Sequence, residues 1–170
     1  MDTATGVWFR RDDYAGLFRR LAIDILDGLI VGCLCFGLLL VVRDSVPYRV
    51  LFAGWVGILF CYFVLLKRSR FGTVGYRLFG AKIVDMWGRV PGLWPLTLRM
   101  FFLVFGPLNY LMDILWLSSD AHRQALRDKF TQTYVVRKNA QPAGTGKLIY
   151  RYYEIFGYNF LFREIEAGRP

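Results

Sequence analysis

At 170 residues the chain has the length of one domain. A composition 55% hydrophobic and 18% aromatic excludes a disordered polyelectrolyte. The net charge of +9 would suit a nucleic-acid binder, but the Lys and Arg residues are gathered at the borders of apolar blocks, where positive charge sets membrane topology and meets lipid headgroups.

The N-terminal segment, residues 1–20, carries four Lys/Arg and leads into the first apolar block, Leu21–Val42. A stretch of about 20 apolar residues spans a bilayer, so 21–42 reads as a membrane helix. It ends at Val-Val-Arg-Asp without a small-residue cleavage site, so it is expected to stay attached and not to be removed as a signal peptide.

This block is entered by Arg19 and Arg20 and interrupted by Asp24 and Asp27. At 100° per residue Arg20, Asp24 and Asp27 fall within about 60° of one another, one narrow stripe. Arg20 and Asp24 stand i and i+4, the spacing of a direct ion pair. A carboxylate at the centre of a span costs roughly 2.5–3.5 kcal/mol on insertion scales, so such groups face protein or water. The stripe is either an internal salt bridge pinning this helix to its neighbours or a site for a proton or cation. Gly28 and Gly32 form a G-x-x-x-G step beside it, which lets another backbone approach.

A short loop, 43–49, precedes the second block, Val50–Leu66, which holds no charge in 17 residues. The following linker, 67–99, carries seven Lys/Arg. The N-terminus and this linker are therefore expected on the cytoplasmic side of a cell inner (plasma) membrane, in a multi-pass arrangement. Within the linker, Ala81-Lys-Ile-Val-Asp-Met-Trp-Gly-Arg-Val-Pro reads as a strand, a turn and a second strand. An amphipathic segment over 92–99 returns to the membrane, with Trp87 and Trp94 suited to the interface.

The third block, with a span over about 98–117, is broken by Gly106-Pro107 and carries Asn109 and Asp113 on one helical face. Nine Lys/Arg follow Leu117. Either the block crosses and the basic tail is translocated, or it bends and the tail stays inside; the charge rule favours the second. The expected fold is thus an all-α membrane protein with three helices, four if the third block is a bent hairpin, and a small cytoplasmic β-hairpin linker.

Thr131–Val136 is a further strand candidate that could pair with that hairpin. Residues 138–146 read as a flexible linker. The tail, 147–170, is too aromatic for a disordered segment and too charged to span; Leu148, Tyr152, Ile155 and Phe156 fit a helical stripe interrupted by Gly157. Three readings stay open for it: docking on a partner protein through Tyr152, Tyr153, Phe156, Phe160 and Phe162, lying in the membrane interface, or packing on the chain's own linker. Aromatic clusters with Arg favour the partner.

Cys33, Cys35 and Cys61 fall inside apolar blocks and read as small hydrophobes. With His122 the one histidine and no nucleophile or phosphate-loop motif, neither an enzyme, a metal nor a cofactor is expected.

Three motifs in order resemble the RDD family of membrane proteins: Tyr14-Ala-Gly-Leu-Phe-Arg-Arg-Leu-Ala with Asp27-Gly-Leu-Ile, then Gly72-Thr-Val-Gly-Tyr-Arg-Leu-Phe-Gly-Ala-Lys-Ile-Val-Asp, then Asp113-Ile-Leu-Trp with Arg123-Gln-Ala-Leu-Arg-Asp128-Lys-Phe-Thr-Gln-Thr-Tyr-Val-Val. The likeness covers about residues 14–137. It implies a family arginine at Arg20, a first aspartate at Asp27 and a second at Asp113 or Asp128, with Gly16, Gly75, Gly80 and Thr133 as further motif positions. Two positions depart from the pattern: Asp24 stands where the family carries an apolar or aromatic residue, and Arg127 where it carries histidine. Some members are implicated in sodium–proton exchange and others sit beside larger membrane machinery, so the resemblance implies a fold and leaves the activity open.

Two functions compete. The first is an accessory, assembly or structural subunit of a larger membrane complex, with Arg20, Asp24, Asp27, Asn109 and Asp113 as a helix-pinning network; the absence of an internal repeat and the added tail favour it. The second is an oligomeric cation or proton transporter using Asp24 and Asp27.

Overall fold

The computed structural model describes residues 5–42, 46–102, 124–155 and 157–166. Two helices dominate it. Helix α1 is Leu17–Val42; helix α2 is Tyr48–Phe60 and widens into a π-helical turn over Cys61–Leu66. Both are long and apolar enough to cross a membrane.

Their burial is inverted relative to a soluble helix. On α1 the buried residues are Arg20, Ile23, Asp27 and Val31, one stripe at spacings of three and four. The outward face is apolar, with Phe18, Leu29, Phe36 and Val41 all exposed. Polar groups thus turn toward the protein and hydrocarbon toward the surroundings, as a bilayer demands. The wider π turn lets consecutive Tyr62, Phe63 and Val64 all be buried. Trp55 donates its indole N–H to the Cys35 carbonyl at 3.1 Å, tying the two helices together.

At the end where α1 begins and α2 finishes lies a β layer, so the fold is not all-α. Short helix α3 (Val74–Leu78) precedes strand β2 (Ala81–Asp85). Helix α4 (Leu93–Phe102) follows, matching the expected amphipathic segment. Helix α5 (Leu126–Thr131) leads into strand β3 (Thr133–Arg137), and β2 pairs antiparallel with β3 from Ala81↔Arg137 to Asp85↔Thr133. The strand expected near 131–136 is therefore present, with β2 as its ladder partner and Tyr14 bridged to Val136. The second strand expected at Arg89–Pro91 is absent. Asp85 instead closes a turn, its Oδ1 accepting the N–H groups of Trp87 and Arg89 at 2.9 and 2.8 Å, and Pro91 has no N–H to extend a ladder.

A second sheet joins the two ends of the chain. Strand β1 (Thr5–Trp8) pairs with β4 (Gly144–Ile155), which pairs with β5 (Tyr158–Glu166). The tail is thus a β-hairpin and not a helix. Gly157, at φ 78°, supplies the left-handed residue of its turn. Residues 138–143 are tethered more than a flexible linker would be: Ala140 is buried and the Ala143 N–H bonds the Trp8 carbonyl at 2.8 Å.

The β2–β3 ladder is the central layer. Ala81, Ile83 and Val135 face Ile23, Val64 and Leu96 of the helices. Val84, Tyr134 and Val136 face Phe9, Met86 and Ile165 on the side of the second sheet. N-terminus, linker and tail consequently form one body at one end of the helix pair. The expected crossing near 98–117, with Asn109 and Asp113, lies outside the described residues beyond Phe102.

Candidate functional site

Two buried carboxylates, Asp27 and Asp128, mark the junction between helices and β layer. Asp27, 1% exposed, sits one helical stripe below Arg20. Its Oδ1 accepts the Tyr62 hydroxyl at 2.8 Å and the Gly75 N–H at 2.7 Å, and its Oδ2 accepts the Thr73 hydroxyl at 2.6 Å. The Tyr62 oxygen in turn accepts the Val74 N–H at 3.3 Å. All these donors are neutral, and no ion pair reaches Asp27 among the described residues.

Gly75 is required for this approach. A Cβ there would lie 2.8 Å from both Asp27 Oδ1 and the Ile23 carbonyl oxygen. Gly80 has a different reason: it follows α3 at φ 58°, and its carbonyl accepts the Lys138 N–H at 2.8 Å, linking the end of α3 to the end of β3. Gly16 contributes its carbonyl to the first turn of α1, accepting the Arg20 N–H at 3.2 Å.

Asp128 is the second carboxylate and is fully buried. Arg20 donates to its Oδ2 and Arg99 to its Oδ1; the Ala125 N–H also reaches Oδ2, at 3.2 Å, closing the start of α5. Arg99 further donates to the Thr133 hydroxyl at 2.7 Å, and Thr133 meets the Thr131 hydroxyl at 2.9 Å. Burial by itself would raise the Asp128 carboxyl, but the charges of Arg20, Arg99 and Arg127 outweigh it and hold the group well below the usual carboxylate range.

Asp24 pairs with Arg127 at the edge of the same cluster. Farther out, Lys129 on α5 donates to Glu164 on β5, and the Tyr153 hydroxyl donates to the same carboxylate at 2.5 Å. Burial pushes Glu164 up, but hydrogen bonds from Lys129 and Tyr153 and the nearby cations bring it below its ordinary value. Burial, then the bond to Glu164, raises the Tyr153 phenol.

The structure therefore regroups the residues expected to act together. Arg20 does not pair with Asp24. Helical side chains lean toward the N-terminus, so its guanidinium points back out of the span, donating Nε–H to the Ala15 carbonyl at 2.9 Å and reaching Asp128. Gly28 and Gly32 are exposed, with no neighbour within 4 Å of an added Cβ among the described residues. Of the tail aromatics, Tyr153, Phe160 and Phe162 face inward; Phe130 of α5 lies 5.5 Å from Phe160 and 5.0 Å from Phe162. Tyr152 points outward with Tyr150 and Leu161, and Phe156 lies outside the described residues. Tyr62 and Thr73 were not singled out from sequence. Their signals were a hydroxyl in a charge-free span and a threonine between two motif glycines.

The family profile of the RDD family matches residues 14–132. The chain belongs to the RDD family. No curated protein and no solved structure matches it. Within this RDD protein Arg20, the position the resemblance implies for the family arginine, meets Asp128, one of the two positions it implies for the second aspartate; the other, Asp113, is outside the described residues. Asp24 and Arg127, the two positions at which the resemblance implies a departure, are each other's partners.

Proposed function

We propose that this RDD protein is a non-catalytic integral membrane subunit that supports assembly or structure of a larger inner-membrane complex. One observation carries the reading: both oxygens of Asp27 and both of Asp128 are taken by donors of the protein itself. Carboxylates so filled serve to lock α1, α2, α4 and α5 to the β layer. One feature supports a partner: outside the lipid-facing helix pair, the hairpin presents Tyr150, Tyr152 and Leu161 outward, each at least half exposed. By the distribution of Lys and Arg, the β layer belongs on the cytoplasmic side.

The test is gentle detergent extraction and native purification through a tag placed after residue 170, away from the paired strand β1, with mass spectrometry of what copurifies. A stoichiometric membrane partner, lost in the surface variant Tyr152→Arg/Leu161→Glu, is the expected result. A clean homo-oligomer would sink the proposal.

That second outcome would turn attention to an oligomeric cation or proton transporter using Asp24 and Asp27. The observation favouring it is that Asp27 is buried without a cationic partner among the described residues. Proteoliposome flux then decides. Transport requires Asp27→Asn to abolish ion-dependent proton movement at unchanged protein abundance; equal loss of both supports the structural role.

A further inference from the structure

Beside the end of α2, where the chain turns into α3 and β2, lies a cavity of about 430 Å³. Its wall carries Lys67, Arg70, Arg77, Lys82 and Lys138 and no carboxylate. Among the described residues none of the five forms an ion pair. Lys67 rests over the Tyr76 ring, 4.5 Å from its centroid, and Lys82 donates to the Ala140 carbonyl at 2.8 Å, so neither charge is neutralised. Positive groups gathered around one concavity repel each other and focus a field that draws in an anion. This contrasts with the neighbouring Arg20–Arg99–Arg127 cluster, where Asp128 and Asp24 supply the counter-charge.

We propose that this cavity binds the phosphate headgroup of an anionic phospholipid carrying more than one negative charge. Three observations favour a lipid over a soluble phosphate. The cavity lies at the end of a helix apolar enough to span the membrane, which is headgroup depth. The adjoining turn and α3 expose Phe71, Val74 and Leu78, apolar surface for the first part of an acyl chain. Lys67 and Arg70 reach the cavity from the span's end, while Lys82 reaches it from β2 and Lys138 from the residue just after β3. A bound headgroup would therefore join the membrane helix to the cytoplasmic layer.

The experiment uses the full chain, delipidated in a neutral detergent, with native mass spectrometry reading retained ligand. Phosphatidic acid, phosphatidylcholine and inorganic pyrophosphate are added separately. Arg70→Gln/Arg77→Gln removes two exposed cavity charges; Arg10→Gln/Lys147→Gln removes two exposed charges away from the cavity and serves as control. One phosphatidic acid should be retained in preference to phosphatidylcholine. Each cation near an anionic surface contributes roughly fivefold in affinity, so the cavity variant should lose roughly thirtyfold, and the control less than half of that in logarithmic terms. Equal losses in both variants would reduce the effect to diffuse surface charge and overturn the site. Absence of preference over phosphatidylcholine would overturn it as well. Pyrophosphate held as tightly as phosphatidic acid, and lost in the same variant, would overturn the lipid assignment in favour of a soluble phosphate compound.

Discussion

Asp27 and Asp128 are both buried carboxylates within one junction, yet they are held in opposite ways. Asp27, inside the span of α1, is surrounded by two hydroxyls and a backbone N–H. Asp128, on α5 beside the β layer, is surrounded by guanidinium groups. The contrast follows from where each counter-group can come from. A hydroxyl or peptide N–H can be carried into a membrane helix bundle at small cost, whereas an arginine there is expensive. Arg20 and Arg99 can reach Asp128 because their long side chains lean toward the membrane surface. One site is built for close steric fit and the other for charge balance, so they should fail differently when altered.

The largest effect is expected at Asp128. Asp128→Asn keeps the shape and removes the charge opposing Arg20 and Arg99. Breaking a buried ion pair from one side costs about 3–5 kcal/mol. The variant should leave little extractable, monodisperse protein, and near-wild-type yield on size-exclusion chromatography in detergent would show the cluster to be dispensable. At Asp27 the sensitive partner is the glycine. Gly75→Ala forces a methyl against the Ile23 carbonyl and the Asp27 carboxylate, an overpacking cost of about 1–3 kcal/mol. A fall in detergent-phase Tm is expected, smaller than for Asp128→Asn. Gly80→Ala tests the other glycine logic through positive φ and should leave the Asp27 contacts intact.

Much of this was legible in the sequence, and the failures share one cause. Two helices were readable because Leu21–Val42 and Val50–Leu66 are long and apolar. Strands β2 and β3 were readable as short branched runs, and the motif glycines through the family resemblance. Partners were not. The i, i+4 spacing offers Asp24 to Arg20, but the carboxylate that Arg20 meets, Asp128, lies 108 residues along the chain, a distance no periodicity encodes. The tail failed for a related reason. Leu148, Tyr152, Ile155 and Phe156 mimic a helical stripe in the sequence, while the described part of the segment is constrained by cross-strand pairing, such as Tyr153 against Phe160 and Tyr152 against Leu161. Aromatic richness around Gly157 was the stronger β signal.

The pair Asp24–Arg127 sharpens the comparison at intermediate cost, because it lies between the two sites and consists of the two residues at which the resemblance implies a departure. If each arose to match the other, then Asp24→Leu and Arg127→His should each destabilise the protein while the double variant recovers. A double-mutant cycle on detergent-phase Tm should give a coupling of about 0.5–3 kcal/mol. Strict additivity would mean that the two departures are independent.

The smallest effect is expected at the outer carboxylate, Glu164, where charge and packing act together. Its carboxyl is held below its ordinary value, so its contribution is complete at neutral pH, above the unfolded-chain value near 4.3, and is lost as pH falls through the lower folded value. Tyr153 works in the opposite sense. Its phenol is raised, so the bond it donates persists below about pH 10 and is lost only above. A spin label at exposed Tyr158, in a background without Cys33, Cys35 and Cys61, reports motion of the β4–β5 hairpin. In the otherwise native chain that motion should increase on acidification below about pH 4. Glu164→Gln should start from a more mobile hairpin and lose most of the pH dependence. Complete release is not expected, because the Phe130 ring still contacts Phe160 and Phe162, and those contacts do not titrate. A hairpin that detaches wholly in Glu164→Gln would mean that charge, and not the aromatic cluster, anchors the tail.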